Sequence, residues 1–539
     1  MISINTLNIR VNLMSLLLLL LVLVQVSCKK KEGFVVDPYG GGKLALGVKF
    51  IGDEASPSSG STGEEVTFKI NGLAKYQGKF DFFINETKAE IVTVSDSTVT
   101  VKVPENASSG GTTVLLEGQS FFGPKFSVDG KVAVDASFKA VNGTNGPIYD
   151  LYKTPSGDYM MVGSFNNFEN QAATVPINGI VLISRDGAFQ NSLKAGKGSD
   201  GSILSINRLN SGKYIVGGFI NSYNKRLGMN GITRLNVDGS LDSTRIRVVN
   251  VKPDIPGMGF DTVATFNGGV FGVAYRTFVR DNKITVLGSF THYVKYFYER
   301  STRDFKVTDI TGMNQMVRMT EDGTMDSTFN YNPDTKQGYA GGNGSIYDGF
   351  MQADGKIVAI GSFTTFNGVP ANHIVRINTD GSVDKTFNTG SGADGPVISI
   401  TYNAVTGKIM LAGAFKNFNG KPREGVVMLN TNGTVDDLFQ FNQLVGGVPN
   451  FAHQLNNGKV LVSGGFNSYH GVIRQGFMIL GQNGTLAAGY NNTGAFEGQV
   501  LKVVETTSAL GNPAVILVGA FNKFNNTRVG NIVRVELKQ

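Results

Sequence analysis

Short segments in which apolar and polar residues alternate run through almost the whole chain after residue 43. Alternation with a period of two places successive side chains on opposite faces, so these segments predict β-strands. Clusters of Gly, Asn, Asp and Ser separate them, which is typical of tight turns between short strands. No long segment has an apolar period of about 3.6 residues, and we therefore expect little helix.

The segment before residue 129 carries its own strand pattern. Seven strands are predicted in it, at 44–52, 65–71, 79–85, 90–95, 97–103, 112–117 and 123–128. Seven short strands with turn signals at this spacing are typical of an immunoglobulin-like sandwich. The interpretation is therefore a separate domain over residues 44–128.

The turns of this first domain are specific enough to suggest a family. The relevant motifs are Ser56-Pro57-Ser58-Ser59-Gly60, Ile91-Val92-Thr93-Val94, Val103-Pro104 and Ala107-Ser108-Ser109-Gly110. Together they closely resemble the IPT/TIG domain. The resemblance implies a spacer that presents other domains more than an activity, and a binding role is the alternative.

The remainder of the chain, residues 129–539, contains a repeat. The tripeptide Gly-(Ser/Gly/Ala)-Phe starts at Gly163, Gly217, Gly288, Gly361, Gly413, Gly464 and Gly519. In six of the seven copies an aromatic residue follows five positions after the Gly, and in the second copy Tyr223 follows six positions after it. A unit of this size cannot bury its own apolar face, so the copies must pack on one another.

Each copy predicts four strands. In the fourth copy they lie at 344–348, 356–360, 374–377 and 384–387, with the hairpin turn Asp380-Gly381 before the last. Seven units of four strands predict an all-β, seven-bladed β-propeller. The last copy lacks its fourth strand, and strand 132–138 before the first copy has the matching sequence, so we expect it to close the ring. An open solenoid is the alternative.

The repeat also resembles a known family. The segments that carry the resemblance are Leu429-Asn430-Thr431-Asn432-Gly433-Thr434-Val435-Asp436-Asp437-Leu438-Phe439 and Gly395-Pro396-Val397. They are similar to delta-60 repeats, and the copies near Gly344 and Gly395 follow that pattern best. The second, third and sixth copies depart from it. The resemblance implies a propeller of the kind found in bacterial surface and secreted proteins.

The N-terminus predicts export. Arg10 precedes the apolar stretch Leu16–Val24, and Ser27 precedes Cys28, the one cysteine of the chain. This arrangement resembles a lipoprotein signal of the looser Bacteroidota form, because Gln25 stands where most such signals have an aliphatic residue. The resemblance implies a signal peptide over 1–27, lipidation of Cys28, a linker over 28–43 and anchoring in the outer membrane, facing the cell exterior. An ordinary secretory signal is the alternative, and the leaflet stays open.

Composition and motifs exclude several function classes. Charged residues make up 17% of the chain, and the net charge of +7 is dispersed, which argues against nucleic-acid binding. No nucleophile elbow, zinc-protease motif, phosphate loop or calcium loop is present in the sequence. The four histidines show no zinc-type spacing. We therefore expect no cofactor, no metal site and no enzyme.

One column of polar residues is a candidate site. Aligned on the leading Gly of each innermost strand, it contains Asp150, Ser205, Gly272, Asp348, Ser399, Asn450 and Lys502. We expect it to ring one level of the central channel, with Lys502 and Asp150 as an ion pair across the closure. The two aspartates could hold a cation or act as an acid–base pair; the alternative is a polar wall of a wet channel.

The third copy has long insertions, which predict a second candidate site. One includes 251–261, and the other is 291–303. Long loops in compact folds are often functional. The second insertion offers aromatic and basic side chains for a partner or ligand surface: Tyr293, Tyr296, Phe297, Tyr298, Arg300 and Arg303. The alternative is an extended hairpin packed on its neighbour.

The function expected from sequence is binding without catalysis. The lipoprotein resemblance implies a binding or assembly module that is an accessory of a TonB-dependent nutrient-uptake complex of the starch-utilisation type. Its partners would be the transporter and its lipoproteins. A glycan-binding or peptide-binding surface protein is the first alternative, although the chain has no Trp. A propeller-type glycosidase or lyase is the second.

Overall fold

The computed structural model describes residues 45–538, and they fold almost wholly into β-strands. The predicted signal peptide 1–27, Cys28 and the linker 28–43 lie outside these residues. Three short 3-10 helices occur, at Ala74–Tyr76, Gln171–Ala173 and Tyr298–Arg300. No helix in residues 45–538 has the length and apolarity to cross a membrane.

The first strand of the first domain is the short Lys49–Phe50. Its other strands are Ser59–Gly60, Glu65–Asn71, Phe80–Ile84, Thr87–Val94, Thr98–Lys102, Gly110–Leu116 and Gln119–Val128. Most lie within a few residues of the predicted bounds. The strand Ser59–Gly60 was not predicted from the sequence; it pairs in parallel with Ser127 and Val128. Phe68 packs against Phe82 at 4.8 Å and Phe126 at 6.0 Å between ring centroids, so strands distant in the pairing order share one apolar core.

After residue 131 the chain forms seven antiparallel sheets in succession, named sheets 1 to 7 in chain order. The main strands of sheet 1 are Ile148–Lys153, Tyr159–Gly163 and Ile180–Ile183, and those of sheet 2 are Ile203–Arg208, Tyr214–Gly218 and Ile232–Leu235. Sheet 3 contains Gly269–Arg280, Lys283–Tyr296, Thr308–Gly312 and Met316–Thr320; sheet 4 contains Ile346–Met351, Ile357–Gly361 and Ile374–Ile377; and sheet 5 contains Val397–Asn403, Lys408–Gly413 and Val426–Asn430. Sheet 6 contains Pro449–Gln454, Val460–Gly464 and Phe477–Leu480, and sheet 7 contains Glu497–Thr507, Pro513–Phe524, Ile532–Leu537 and Val132–Val134.

Minor strands form hairpins and edges around these sheets. They are Ser222–Tyr223, Arg226–Leu227, Ser243–Arg247, Phe260–Ala264, Tyr331–Asn332, Gln337–Gly338, Thr365–Phe366, Val369–Pro370, Asn417–Phe418, Lys421–Pro422, Leu444–Val445, Ser468–Tyr469, Val472–Ile473 and Thr527–Arg528.

The seven sheets close on themselves. The first strand of each sheet contacts the first strand of the next, and that of sheet 7 contacts that of sheet 1. Apolar side chains fill the spaces between neighbouring sheets, and one such cluster joins Ile516 and Val518 of sheet 7 to Ile148 and Met161 of sheet 1. Burial of this surface between copies is what a repeat that cannot bury its own face requires.

The two ends of the repeat region share sheet 7, but the closing strand is shorter than predicted. Val132–Val134 pairs with the last strand, Val134 opposite Val535 and Val132 opposite Leu537. The predicted strand 132–138 is therefore wrong in its extent. Residues 135–138 form a turn instead, because Asp135 accepts hydrogen bonds from the Ser137 backbone N–H (2.8 Å) and from Arg534 Nε (2.6 Å).

Outside sheet 7, the predicted fourth strand does not join the main sheet of its copy, so that prediction is also wrong; in the second copy Ser243–Arg247 pairs with Phe260–Ala264 instead. In sheet 4 the segment 384–387 makes no strand, and one bridge between Ile377 and Val383 precedes it. Asp384 accepts hydrogen bonds from Arg376 Nε and Lys356 Nζ, both at 2.7 Å, which turns the chain away from the sheet. The Arg376 guanidinium lies 4.7 Å from the ring centroid of Phe387.

This Arg–Asp clamp recurs in four of the seven sheets. The pairs are Arg234–Asp242, Arg318–Asp326, Arg376–Asp384 and Arg534–Asp135. In the first three the two residues are eight positions apart, across the hairpin turn. The fourth joins the two ends of the repeat region, so the closing turn has the same chemistry as the internal ones.

The second copy starts one residue later than its sequence motif indicated. Gly218, not Gly217, lies opposite Ile203, as Gly163 lies opposite Ile148. Tyr223 then follows five positions after the Gly, as in the other copies. The apparent irregularity of the aromatic position comes from two consecutive glycines, which leave the register ambiguous in sequence.

The first domain is tied to sheets 6 and 7 by hydrogen bonds. Ser109 donates from its backbone N–H and its Oγ to Asn492 O, both at 2.9 Å. Asn492 Nδ2 donates to Val128 O at 3.1 Å, and Asn526 Nδ2 donates to Ser109 O at 2.8 Å. Arg474 donates to Asn106 O at 3.1 Å. These contacts fix the loop 106–109 against the seven-sheet domain.

Candidate functional site

The polar column predicted on the innermost strands differs from the observed one at two positions. In sheet 3 the position equivalent to Asp150 is Arg276 and not Gly272, because Ala274 lies opposite Gly288 as Ile148 lies opposite Gly163, and the same bulge follows it. In sheet 6 it is Phe451, because Pro449 and not Val448 lies opposite Gly464. The first strand of sheet 3 is longer and holds an additional bulge between Val270 and Gly272, and sheet 6 has two candidate leading glycines, Gly446 and Gly447, so alignment on the leading Gly could not place these two.

The charged members of the column are paired with one another. Lys502 Nζ donates to Asp150 Oδ1, the ion pair that the sequence predicted. Arg276 Nε donates to Asp348 Oδ1 at 2.6 Å. Burial alone would lower the pKa of Arg276, but the carboxylates of Asp348 and Asp150 outweigh it and hold that pKa above its ordinary value. The negative charge of each aspartate is therefore neutralised by a basic side chain of the same protein.

Several column residues bridge neighbouring sheets. Asp150 Oδ2 accepts a hydrogen bond from Ile206 N at 3.0 Å, and Ser205 Oγ lies 3.0 Å from Thr277 Oγ1. Arg276 donates to Leu204 O at 3.1 Å. Asp150 and Ser205 are 7% and 1% exposed, so their polar groups serve contacts between sheets. We name this network the inter-sheet polar seam, made of Asp150, Ser205, Arg276, Asp348 and Lys502.

Two further residues of the predicted column, Asn450 and Ser399, lie outside the charged network. Asn450 Nδ2 donates to Gly498 O at 3.2 Å, and its Oδ1 accepts from Ser463 Oγ at 3.0 Å. Ser399 Oγ is buried without a hydrogen-bond partner among the described residues. Neither provides a nucleophile with an adjacent base, which covalent catalysis requires.

The seam offers little acid–base or metal chemistry. A general base needs a free carboxylate or imidazole within hydrogen-bond reach of substrate, and both seam aspartates are occupied by cations. Across residues 45–538 no three His, Cys, Asp or Glu side chains are grouped so that they could hold a metal ion. Burial lowers the pKa of His453, on the innermost strand of sheet 6, to about 4, so this imidazole is neutral at physiological pH.

The second candidate site, the aromatic insertion, begins as an extended hairpin. Lys283–Tyr296 pairs with Gly269–Arg280 on one side and with Thr308–Gly312 on the other. Tyr293 is 3% exposed, and its hydroxyl donates to Gly323 O at 2.8 Å. Tyr223 and Tyr469 make the same bond to Gly239 and Gly484, so Tyr293 is a structural residue of the repeat.

The other aromatic residues of the insertion are half-buried. The rings of Tyr296 and Tyr298 stack with centroids 5.8 Å apart, and the Tyr296 hydroxyl accepts from Asn230 at 2.9 Å. Burial raises the pKa of Tyr298. Arg300 lies over the Phe297 ring, 5.2 Å from its centroid. Tyr296 and Tyr298 are thus engaged mainly with each other, and of the predicted surface residues only Arg300 and Arg303 are exposed.

The two insertions of the third copy join into one feature, which we name the third-repeat projection (residues 248–259 and 297–307). Val249 N donates to Ser301 O at 2.8 Å, and Arg303 lies 3.9 Å from Met258 Sδ. At its base, Lys306 and Asp261 form an ion pair at 2.9 Å. The insertions are thus positioned by each other.

The projection exposes apolar side chains that sequence reasoning missed. Val251 is 57% exposed, Ile255 50% and Phe305 69%. Arg300 and Arg303 lie in the same segment as Phe305. Only the length of the insertions indicated this surface in the sequence, because the sequence does not show whether an apolar loop residue is buried or exposed.

Family comparisons cover two parts of the chain. Residues 24–124 match a domain of unknown function, DUF5008. Residues 209–244, 352–387 and 406–439 match a second, described as the DUF5122 beta-propeller. The last two segments lie in the copies near Gly344 and Gly395, and the first lies in the second copy, which the sequence had marked as divergent. The chain therefore contains a β-propeller domain.

Solved structures that match the chain over most of its length do so with low TM-scores and low sequence identity. An auxiliary nutrient binding protein from Bacteroides ovatus has 12% identity and a TM-score of 0.29, with 91% of this chain and 98% of that chain covered. One from Bacteroides thetaiotaomicron has 10% identity and a TM-score of 0.28, with the same coverage. YCF48 from Cyanidioschyzon merolae has 12% identity and a TM-score of 0.35, with 73% and 96% covered. TM-scores this low do not establish a shared fold. No curated protein matches the chain.

Proposed function

We propose that the protein is a non-enzymatic binding module at the bacterial outer membrane. A lipid on Cys28 anchors it, an immunoglobulin-like IPT/TIG domain acts as the spacer, and a seven-bladed propeller is presented outward. Its partner is a TonB-dependent nutrient-uptake complex, as the lipoprotein resemblance implies. The third-repeat projection is the surface that contacts this partner.

The observation that carries the proposal is the exposure of the projection. Val251, Ile255 and Phe305 leave apolar surface in water, which costs free energy unless a partner covers it. Arg300 and Arg303 are exposed near them, and an apolar centre with arginines is the composition enriched at protein interfaces. The regular copies have no comparable insertion, so the seven-sheet ring does not need the projection for its own closure.

The paired charges of the inter-sheet polar seam support a role without catalysis. Each seam aspartate is neutralised by Lys502 or Arg276, and a carboxylate held this way is a poor general base. A glycosidase would need a pair of carboxyl groups free to exchange protons with the substrate. The seam instead gives sheets 1, 2, 3, 4 and 7 a shared electrostatic contact.

Co-purification from the native membrane tests the proposal. The lipidated protein is extracted with mild detergent, and its partners are quantified for the wild type and for the variant Ile255→Ser/Phe305→Ser. Because a few exposed anchors carry most interface energy, we expect partner recovery to fall at least about tenfold. The matched control is Phe219→Ser, since Phe219 is 60% exposed and the equivalent residues Ser164 and Ser362 show that the fold accepts serine there.

Unchanged recovery with the Ile255→Ser/Phe305→Ser variant would contradict the assignment of the surface. Equal loss in the Phe219→Ser control would show a general destabilisation of the ring. Thermal unfolding of the three proteins separates these outcomes, because neither serine variant removes a buried side chain.

A further inference from the structure

A cavity of about 450 Å³ opens where the outer part of sheet 3 meets sheet 4. One wall is the small hairpin Tyr331–Asn332 with Gln337–Gly338, and a second is the hairpin that holds Asn367 and Val369. The third wall is the turn at Asp380. The small hairpin lies within the long 73-residue step between Gly288 and Gly361. A cavity of this size is within the range of small-molecule sites, about 300–1,000 Å³.

Backbone hydrogen bonds hold the walls together. Asn330 N donates to Asp380 O at 2.8 Å, which joins the third copy to the turn of the fourth. Gly341 N donates to Asn367 Oδ1 at 2.7 Å, and Asn367 N donates to Gly341 O at 2.8 Å. Gly381, at φ 89°, packs so closely that a Cβ would lie 2.5 Å from Asn330 N. The cavity is therefore formed before any ligand binds.

The cavity is lined by three kinds of polar group that lack a partner among the described residues: phenol hydroxyls, a carboxylate oxygen and an ammonium group. Tyr339 is 47% exposed, and within residues 45–538 neither its hydroxyl nor that of Tyr331 makes a hydrogen bond. Asp380 Oδ1 accepts from Ser382 N at 2.9 Å and Ser382 Oγ at 2.7 Å, while Oδ2 has no partner in the described chain. Lys385 also lines the cavity, with no ion-pair partner among the described residues.

Asp380 differs from two of its three aspartate counterparts in other copies, and Asp322 resembles it in forming no ion pair among the described residues. Asp238 pairs with Lys194 at 3.3 Å, and Asp186 pairs with Arg534 at 3.5 Å. Asp380 forms no ion pair in the part of the chain that the structure describes. The hydrogen bonds from Ser382 lower its pKa, so it is ionised at neutral pH with one oxygen free to accept.

We propose that this cavity binds a neutral saccharide, independently of the proposed partner surface. A sugar ring has apolar C–H faces that pack on the exposed Tyr339 ring. Its hydroxyls donate to Asp380 Oδ2 and accept from Lys385 and the phenol groups. The cavity has one negative and one positive side chain. An anionic ligand would be repelled by Asp380 and a cationic one by Lys385, whereas a neutral polyhydroxylated ligand can form hydrogen bonds with both.

The absence of Trp from the sequence permits a direct binding assay. In the full chain, Tyr339→Trp keeps an aromatic platform and introduces one indole. The purified variant is titrated with maltoheptaose, xylohexaose, mannohexaose and cellohexaose while indole emission is recorded. We expect at least one of the four to change the emission saturably, with a Kd in the range of about 10 μM to 1 mM. The control is Tyr347→Trp, because Tyr347 is 45% exposed and does not line the cavity.

Asp380→Asn in the Tyr339→Trp background tests the polar contact without disturbing the turn. Asn432 and Asn483 occupy this turn position in other copies, where they accept the same hydrogen bonds from Thr434 and Thr485. Because hydrogen bonds to charged groups are the stronger ones, we expect the Kd to rise about tenfold. Saturation-transfer NMR on the unsubstituted protein and on Asp380→Asn gives the same comparison without the indole.

Four results would overturn the proposal: no emission change with any of the four saccharides, an equal change in Tyr347→Trp, an unchanged Kd in Asp380→Asn, or a response to tryptic peptides of serum albumin alone. The last would assign the cavity to a peptide. The assay uses purified protein without membrane partners, so its failure and the failure of the proposed partner surface are distinguishable.

Discussion

Replacing Asp135 by Asn should destabilise the seven-sheet domain more than the same change at an internal copy. Asp135 and Arg534 are 4% and 1% exposed, and they join the two ends of the ring. Asn keeps the acceptor for the Ser137 N–H but removes the charge opposite the guanidinium. Removal of one partner from a buried ion pair costs about 3–5 kcal/mol, because the other charge is left uncompensated.

The matched control is Asp436→Asn. Asp436 holds the equivalent position in the fifth copy, but its ion pair is with Lys408, whose side chain is 27% exposed. We expect a cost of about 1 kcal/mol there, close to the value for solvent-exposed pairs. With a urea dependence of about 3 kcal/mol per molar, Asp135→Asn lowers the unfolding midpoint by roughly 1 M and Asp436→Asn by a third of that.

The double variant Asp135→Asn/Arg534→Met should recover most of the loss, because an apolar replacement of both charges is close to neutral. Acid gives a second check. Burial opposes ionisation of Asp135, but hydrogen bonds from Ser137 and Arg534 lower its pKa. The stabilisation is therefore present above the ordinary carboxyl pKa of about 3.9 and is lost as pH falls below it. Equal midpoints for the two single variants, or a double variant weaker than Asp135→Asn, would refute this account of the closure.

Three further outcomes follow from the contacts of single residues. His453→Gln should flatten the loss of stability between about pH 6.5 and pH 4 in urea titrations, because the unfolded imidazole takes up a proton that the folded one, with its pKa lowered to about 4 by burial, does not. Tyr469→Phe should cost about 1 kcal/mol in unfolding free energy, because it loses the 2.6 Å bond to Gly484 O. Asn492→Ala should speed proteolysis between the two domains, because it removes the Nδ2 bond that ties Val128 to sheet 7.

The seven-fold sheet pattern was predictable from sequence because each copy repeats its turn chemistry. The Asp-Gly turn and the buried aromatic residue are set locally, and three tyrosines join them directly, as Tyr223 does to Gly239. The clamp was also readable, since Arg376 and Asp384 stand eight positions apart, as do two other pairs. The predicted fourth strand ignored that the clamp bends the chain away from the sheet.

The candidate sites were less predictable, because they depend on the strand register and on which side chains are exposed, and the sequence shows neither. Arg276 was missed because the first strand of sheet 3 is longer and holds an additional bulge between Val270 and Gly272, which changes the residue that contacts Asp348. Tyr293 was assigned to the surface although it fills the aromatic position of the repeat and is buried. The sequence shows that the third copy has extra residues, whereas only the fold shows which of them contact each other and which face solvent.

Photo-crosslinking from the projection tests the central claim most directly. A benzophenone amino acid replaces Phe305 in the lipidated protein on intact cells, and Phe219, the exposed residue of sheet 2, is replaced in the control. The account predicts a crosslink from position 305 to an outer-membrane transporter or one of its lipoproteins, and none from position 219. No crosslink from position 305, or the same product from both positions, would contradict it.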